Sequence, residues 1–357
     1  MVNWLSQESY LMINPRHPLA GEIRLNQLPC LPAHIWLATS GTTGDLGTLK
    51  LVALSKQAFL ASAAAVNQHL QSTARDVWIK VLPDFHVGGL SIYARAHLSD
   101  AKVIDVKGKW DVLKLKEVME DQKGMIVSLV PTQVHDLVTN RCQAPIGHLR
   151  SVIVGGDVLS EHLYGEARKL GWPLFTTYGC TECCSQIAAG GMLLPHISAR
   201  TDTEGFLQFR GPSLFTGYAF WKNGKAEWSD PKVDGWWTSD DRGEIQNGSL
   251  KFLGRRQDFI KVGGEGVNLY RLNNLLQKIC GEIHWKGEAV LIGTPDVRLG
   301  QQVQLVVSPE TVEHESLVTR FNESVMPFER IRTISTVTQI PRTPLGKPID
   351  FERVFRV

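Results

Sequence analysis

Residues 150–171 read "RSVIVGGDVLSEHLYGEARKLG", a short Val- and Ile-rich run followed by a helical pattern, with a Gly-Gly turn between them. The run "RSVIVGG" has the length and β-branched content of a buried strand, and "SEHLYGEARKLG" spaces its apolar residues at helical intervals. The same unit recurs upstream. "HIWLATS" (34–40), "VWIKVLP" (77–83), "AKVIDV" (101–106) and "MIVSLVP" (125–131) read as strands, with "SKQAFLASAAAVNQHL" (55–70) and "DVLKLKEVMEDQ" (111–122) as helices between them. Such alternation predicts an α/β fold around mostly parallel sheets, with ligands at the loops beyond the carboxyl ends of the strands.

From about residue 204 the texture changes. "GFLQFRG" (205–211), "GEIQNG" (243–248) and "SLKFLG" (249–254) are short strands between Gly-containing turns and predict a β-rich appendage. Beyond "GRRQD" (254–258) come a helix ("YRLNNLLQKI", 270–279), two strands ("AVLIG", 289–293; "QVQLVVS", 302–308) and a second helix ("ESLVTRFNESV", 315–325). A boundary near Gln257 therefore separates a large N-terminal domain (1–256) from a small α+β domain (257–357).

The bulk numbers narrow the class. At 357 residues, 43% hydrophobic and +2 in net charge, the chain has ample material for a core and no excess charge to hold nucleic acid or an anionic membrane surface. No apolar run approaches the roughly 18 residues of a membrane span. The opening "MVNWLSQESYLMINPRHP" shows no signal-peptide pattern, so a cytoplasmic location is expected. Of the six cysteines, Cys180 and Cys183 form the one Cys-x-x-Cys, and no second pair or His-x-x-x-His lies near it. Structural zinc sites commonly need two such pairs, so these thiols are expected to pack as small hydrophobes.

Several loops have residues suited to chemistry. "LATSGTTGDLGTLK" (37–50) follows a strand, and its Gly41, Gly44 and Gly47 let backbone N–H groups turn inward around an anion. Ser40, Thr42 and Thr43 add donors, and Lys50 a charge. Neither the Walker A nor the dinucleotide spacing fits, and a plain surface turn weighs about equally. His86 precedes a Gly pair at a helix start in "PDFHVGGLSIYAR" (83–95), where a lone His is more often packed or solvated than catalytic. "VGGDVLS" (154–160) ends a strand where backbone can approach a flat ligand. Asp240 and Asp241 adjoin in "GWWTSDDRGE" (235–244), where paired acids are more often solvated than catalytic. "IPRTPLGKPID" (340–350) presents Lys347.

In order, "TSGTTG", "PDFHVGGL", "VGGDVLS", "YGCTE", "TSDDRGE", "GRRQDFIKVGGEG" and "PRTPLGK" resemble the motif series of the adenylate-forming acyl-CoA synthetase superfamily, from about residue 35 to 353. "SLVPTQ" (128–133), "DRGEIQNGSLKFLGR" (241–255) and "GGEG" (263–266) make the chain most similar to its o-succinylbenzoate–CoA ligase branch, which serves menaquinone synthesis.

The resemblance implies an ATP-dependent acid–CoA ligase using Mg²⁺ and coenzyme A. Thr39, Ser40, Gly41, Thr42, Thr43 and Gly44 would hold the departing phosphates, with help from Lys50. Gly155, Gly156, Asp157, Tyr178 and Gly179 would line the adenine site, with Thr181 at the phosphates and Glu182 on the metal. Asp240 and Arg255 would grip the ribose. Lys347 would reach the reacting carboxylate and α-phosphate, and His86 would guard the acyl pocket. Arg95 would face the aromatic acid, and Gln257 would be the hinge that brings Gly263 and Gly264 to the pantetheine channel. The segment ahead of the phosphate loop is shorter than the family's, which implies a reduced N-terminal subdomain or a surface covered by a second subunit. Ligases for other acids, enzymes that load a carrier-protein thiol and a non-catalytic ATP-binding relic are the rival readings.

Overall fold

The structure is a computed structural model that describes residues 2–39, 48–120, 122–309 and 313–341. Its centre is the unit quoted above. Leu149–Val154 is a strand, and Glu161–Lys169 is a helix whose N-cap, Ser160, accepts a hydrogen bond from Leu163 N. Five strands run parallel in the order Lys102–Asp105, Val77–Lys80, Met125–Leu129, Leu149–Val154 and Leu174–Cys180.

Alternate residues of these strands face two helical layers. Val127, Val152 and Val154 pack with Leu115, Met119, Val134, Leu137 and Ala167 on one side. Trp78, Ile126 and Ile153 pack with Ile92 and Ala96 on the other. Both faces are covered, which is why these strands are nearly continuous apolar runs. The helix Pro131–Thr139 was not evident in the sequence: Pro131 ends the apolar run but occupies the first helical turn. There its missing N–H and fixed φ cost nothing.

The β-rich appendage is continuous with the parallel strands rather than a separate layer. Leu174–Cys180 pairs antiparallel with Ser185–Ala189, and the sheet extends through Met192–Leu193, Ser249–Arg255, Trp237–Gln246 and Phe206–Arg210 to Ser198–Thr201, eleven strands among the described residues. A second sheet pairs His34–Ala38 with Thr48–Ser55 and Gly217–Lys222, antiparallel at each of those junctions.

Residues from Ile260 onward have a core of their own, centred on Leu272, Leu276, Leu305 and Phe321. The helix Leu269–Glu282, capped by Asn268, lies on a sheet that includes Glu288–Asp296, Gly300–Ser308 and Ile331–Thr336. Gly263 and Gly264 form the turn of the hairpin Phe259–Val262/Glu265–Asn268 at φ +62° and +90°. That conformation calls for glycine whatever the loop binds.

Candidate active site

The carboxyl ends of the parallel strands and the loops after them carry His86, Gly155, Gly156, Asp157, Tyr178, Gly179, Thr181 and Glu182. "YGCTE" leaves the strand Leu174–Cys180 and enters a single 3₁₀ turn, Thr181–Cys183. Gly179 is required by packing, because an added Cβ would lie 1.9 Å from the Ser185 carbonyl oxygen of the returning strand. Cys183 and Cys184 are fully buried in the hydrophobic core, and Cys180 packs against it. Burial raises all three thiol pKa values. Among the described residues no group of His, Cys, Asp or Glu side chains is arranged to hold a metal alone.

Glu182 is 9% exposed. Its Oε1 accepts from Lys50 Nζ at 3.1 Å and from the Tyr218 hydroxyl at 3.1 Å. Lys50, on the strand Thr48–Ser55, also sits 3.8 Å from the centre of the Tyr218 ring. Burial, and then the Glu182 charge, pushes the Tyr218 phenol far above its ordinary pKa, so it remains a donor. Tyr218 was not singled out in the sequence, where "FTGY" (215–218) is one aromatic stretch among several.

Tyr178 donates to Asp241 Oδ2 at 2.6 Å, with its ring near Phe209 and Phe252. Asp240 and Arg255, both expected at the ribose, meet different partners. In the strand Trp237–Gln246, Trp237 and Ser239 are buried while Thr238 and Asp240 are exposed. Asp240 accordingly meets Arg256, at 3.1 Å, and it is Asp241 that lies 3.5 Å from Arg255 Nε. Arg255 N also donates to Asp258 Oδ2 at 2.6 Å, in the turn that contains Gln257.

Gly155 and Gly156 follow the strand Leu149–Val154. A Cβ on Gly155 would meet Thr177 Oγ1 at 2.6 Å, and Gly156 has φ +86°. Asp157 is exposed, and its Oδ1 accepts from Val158 N. Thr39 N donates to the Lys50 carbonyl, which ties the end of the strand His34–Ala38 to the strand carrying Lys50. Ser40, Gly41, Thr42, Thr43, Gly44 and Lys347 lie outside the described residues.

His86 is the N-cap of the helix Val87–Ser99, with its ring 4.7 Å from Phe85. Gly89 lets that helix close on its loop, since a Cβ would come within 2.3 Å of the Pro83 carbonyl oxygen. Two turns on, Arg95 is 2% exposed. Its Nη2 donates to Ser185 Oγ at 3.2 Å and the guanidinium lies 5.5 Å from the Trp78 ring. Arg95 Nε is buried without a partner, and among the described residues no carboxylate pairs with the group. Burial alone pushes its pKa down to about 10, so it is a charged group at neutral pH.

Residues 35–207 match the family described as AMP-binding enzyme. In particular, the chain is similar to acid–CoA ligases of the AMP-forming type. Indoleacetate–CoA ligase of Aromatoleum aromaticum is 29% identical over 96% of this chain and 70% of its own. The 2-succinylbenzoate–CoA ligase of Listeria monocytogenes is 28% identical over 87% of this chain and 67% of its own. The solved o-succinylbenzoate–CoA synthetase of Bacillus subtilis shares the fold with a TM-score of 0.76, at 24% identity over 88% of this chain and 67% of that one. The chain thus spans about two thirds of the length of the proteins it matches.

Proposed function

We propose that the chain is an ATP-dependent acid–CoA ligase acting through an acyl-adenylate, with o-succinylbenzoate as its acid. The observation that carries the substrate is Arg95. A guanidinium buried without a counter-ion is costly. An acid with a second, unreacting carboxylate supplies that counter-ion, and its paired oxygens suit the guanidinium fork. The likeness to indoleacetate–CoA ligase favours a second reading, an aryl acid with one carboxylate, and such an acid leaves Arg95 unpaired.

In the first half-reaction the acid's carboxylate oxygen attacks the α-phosphorus of ATP, and pyrophosphate leaves. In the second, the CoA sulfur attacks the acyl carbon, and AMP leaves with the electron pair. Both anionic partners of the first step need cations where charge concentrates. Lys50 faces the phosphates beside the loop from Thr39 to Gly44, and Lys347 approaches the reacting carboxylate. Gly155, Gly156, Asp157, Tyr178 and Gly179 border the adenine, and His86 stands over the acyl pocket. Asp241 takes the ribose role first given to Asp240, because it faces Tyr178 and Arg255.

A magnesium ion fits Glu182 as a single hard carboxylate ligand, the remainder of its shell coming from substrate phosphates and water, as is usual for that ion. When bound it supplies charge neutralisation on the phosphates. Glu182 is already turned toward a cation, Lys50, so the site is built for positive charge. The small domain from Gln257 onward, with its separate core, rotates between the two half-reactions and carries Gly263 and Gly264 to the thiol.

Pyrophosphate release from ATP and Mg²⁺ tests this with o-succinylbenzoate, benzoate, indoleacetate and a fatty acid, each with and without CoA. Release specific to o-succinylbenzoate, with its CoA thioester seen by mass spectrometry, supports the proposal. Release with another acid moves the substrate, and ATP binding without release from any acid sinks the enzyme reading.

A further inference from the structure

We propose that Lys80 is a positioning residue for the acid half of the site, fixing through Asp84 the loop that carries His86. This rests on the placement of His86 over the acyl pocket. Lys80 ends the strand Val77–Lys80 and is 3% exposed. Its Nζ lies 2.6 Å from Asp84 Oδ1, in the loop two residues before His86, and 3.0 Å from Asp105 Oδ1. Asp105 ends the neighbouring strand and is the register partner of Lys80.

The strand explains why the ammonium arrives there. Ile79 packs into one helical layer and Trp78 into the other, beside Ile92 and Ala96 of the helix Val87–Ser99. Lys80, two residues after Trp78, shares its face. The ammonium accordingly sits 5.2 Å from the ring centre of Tyr93 on that helix, and the Tyr93 hydroxyl donates to Asp105 Oδ2 at 3.2 Å. Strand end, loop, helix and neighbouring strand thus meet at one charge. Burial disfavours that charge, but the bonds to Asp84 and Asp105 outweigh it and raise the pKa above the ordinary lysine value. Lys80 is an ammonium at neutral pH.

Stability alone is a poor reason for this arrangement. An apolar side chain at Lys80 would fill the same place without taking a charge out of water, and buried ion pairs are weak sources of stability. What the pairs add is fixed geometry. Asp84 is half-exposed, and among the described residues Lys80 is the one cation that meets it. The rest of the loop is held by its backbone. His86 N donates to the Pro83 carbonyl at 3.2 Å, and Gly89 lies against the Leu82 and Pro83 carbonyls. Arg95 follows Tyr93 by two residues on the same helix, so one frame carries both residues assigned to the acid. Supporting contacts of this kind hold binding groups in productive geometry without touching the substrate.

The test is a double-mutant cycle on pyrophosphate release, run on the wild-type chain, Asp84→Ala, His86→Ala and the double variant. It reads kcat/KM for the acid and KM for ATP on each protein. Asp84→Ala should lower kcat/KM for o-succinylbenzoate about ten- to a hundred-fold, the range for a misplacement of about 1 Å near the chemistry, and leave KM for ATP within about two-fold. In the His86→Ala background the same substitution should cost less than about two-fold, because a residue acting through another has no effect once the other is gone. Lys80→Met should repeat the Asp84→Ala result, and if it does not fold the Asp84 cycle decides alone. No loss in Asp84→Ala, equal changes toward acid and ATP, or losses that multiply with His86→Ala would overturn the positioning role and leave the ligase reading intact. An unchanged kcat/KM in His86→Ala removes His86 from the acyl pocket, and this proposal with it. If the wild-type chain turns over a different acid, the cycle is run with that acid and reads the same way.

Discussion

Lys50 and Arg95 are both cations drawn out of solvent, and the protein surrounds them in opposite ways. Lys50 has a carboxylate at 3.1 Å and an aromatic face at 3.8 Å. Arg95 has a serine hydroxyl at 3.2 Å, a more distant tryptophan face and no carboxylate. The Lys50–Glu182 pair is complete within the protein, so it stabilises the fold, and under the proposed function it also prepares the phosphate site. The Arg95 recess is incomplete, and its unmet charge is a cost to the fold that a second carboxylate on the acid would relieve under the proposed function. Functional groups carried at the expense of stability are a common feature of binding sites.

The largest expected effect comes from the paired side. Glu182→Gln should lower pyrophosphate release by about 10²–10³, the range for a lost electrostatic element of a phosphoryl-transfer site, measured at saturating ATP and acid. A variant that retains wild-type rates would detach Glu182 from the phosphates. The contrast itself is tested by stability. Lys50→Met strands a largely buried carboxylate and should cost about 1–3 kcal/mol in denaturant unfolding. Arg95→Leu replaces a lone buried charge with an apolar side chain and should be neutral, or stabilising by up to about 1–2 kcal/mol. Equal destabilisation by the two would erase the distinction.

A smaller effect concerns pH. The folded pKa of His196, about 4, lies below the ordinary histidine value of 6.5. Between those limits the unfolded chain binds the extra proton, so this contribution is fully present above pH 6.5 and is lost as pH falls toward 4. His196→Gln should show a shallower loss of stability across that window than wild type, and parallel curves would contradict the pKa. The smallest effect is on thiols. Cys30 is exposed and should react readily with an aromatic disulfide, whereas Cys183 and Cys184 should react only on unfolding. Rapid modification of the latter two would place the "YGCTE" loop outside the core.

Much of the fold was legible because buried parallel strands are apolar throughout: Met125–Leu129 is buried at every position and reads as a strand from composition alone. The motif loops were legible for a related reason, since glycines such as Gly179 and Gly89 are required by backbone passing within 2–3 Å. Other features depend on contacts that sequence does not display. Pro131 looks like the end of a run and is the start of a helix. Asp240 and Asp241 differ only in which face of a strand they occupy, and a register shift between Arg242 and Gly243 blurs the alternation that would separate them. The Gly263–Gly264 pair was read as a narrow channel, and its backbone angles give it a turn's reason to be glycine. His196 is one histidine among eleven, and nothing in its sequence neighbourhood announces that its ring is buried.

The central claim is that the unmet charge of Arg95 selects an acid with a second carboxylate. It is tested most directly by KM for o-succinylbenzoate and for benzoate in wild type and in Arg95→Leu. The account predicts a rise on the order of a hundred-fold for o-succinylbenzoate, as for a charge-assisted pair, with the benzoate value unchanged or lowered. An unchanged KM for o-succinylbenzoate, or an equal rise for both acids, would contradict it.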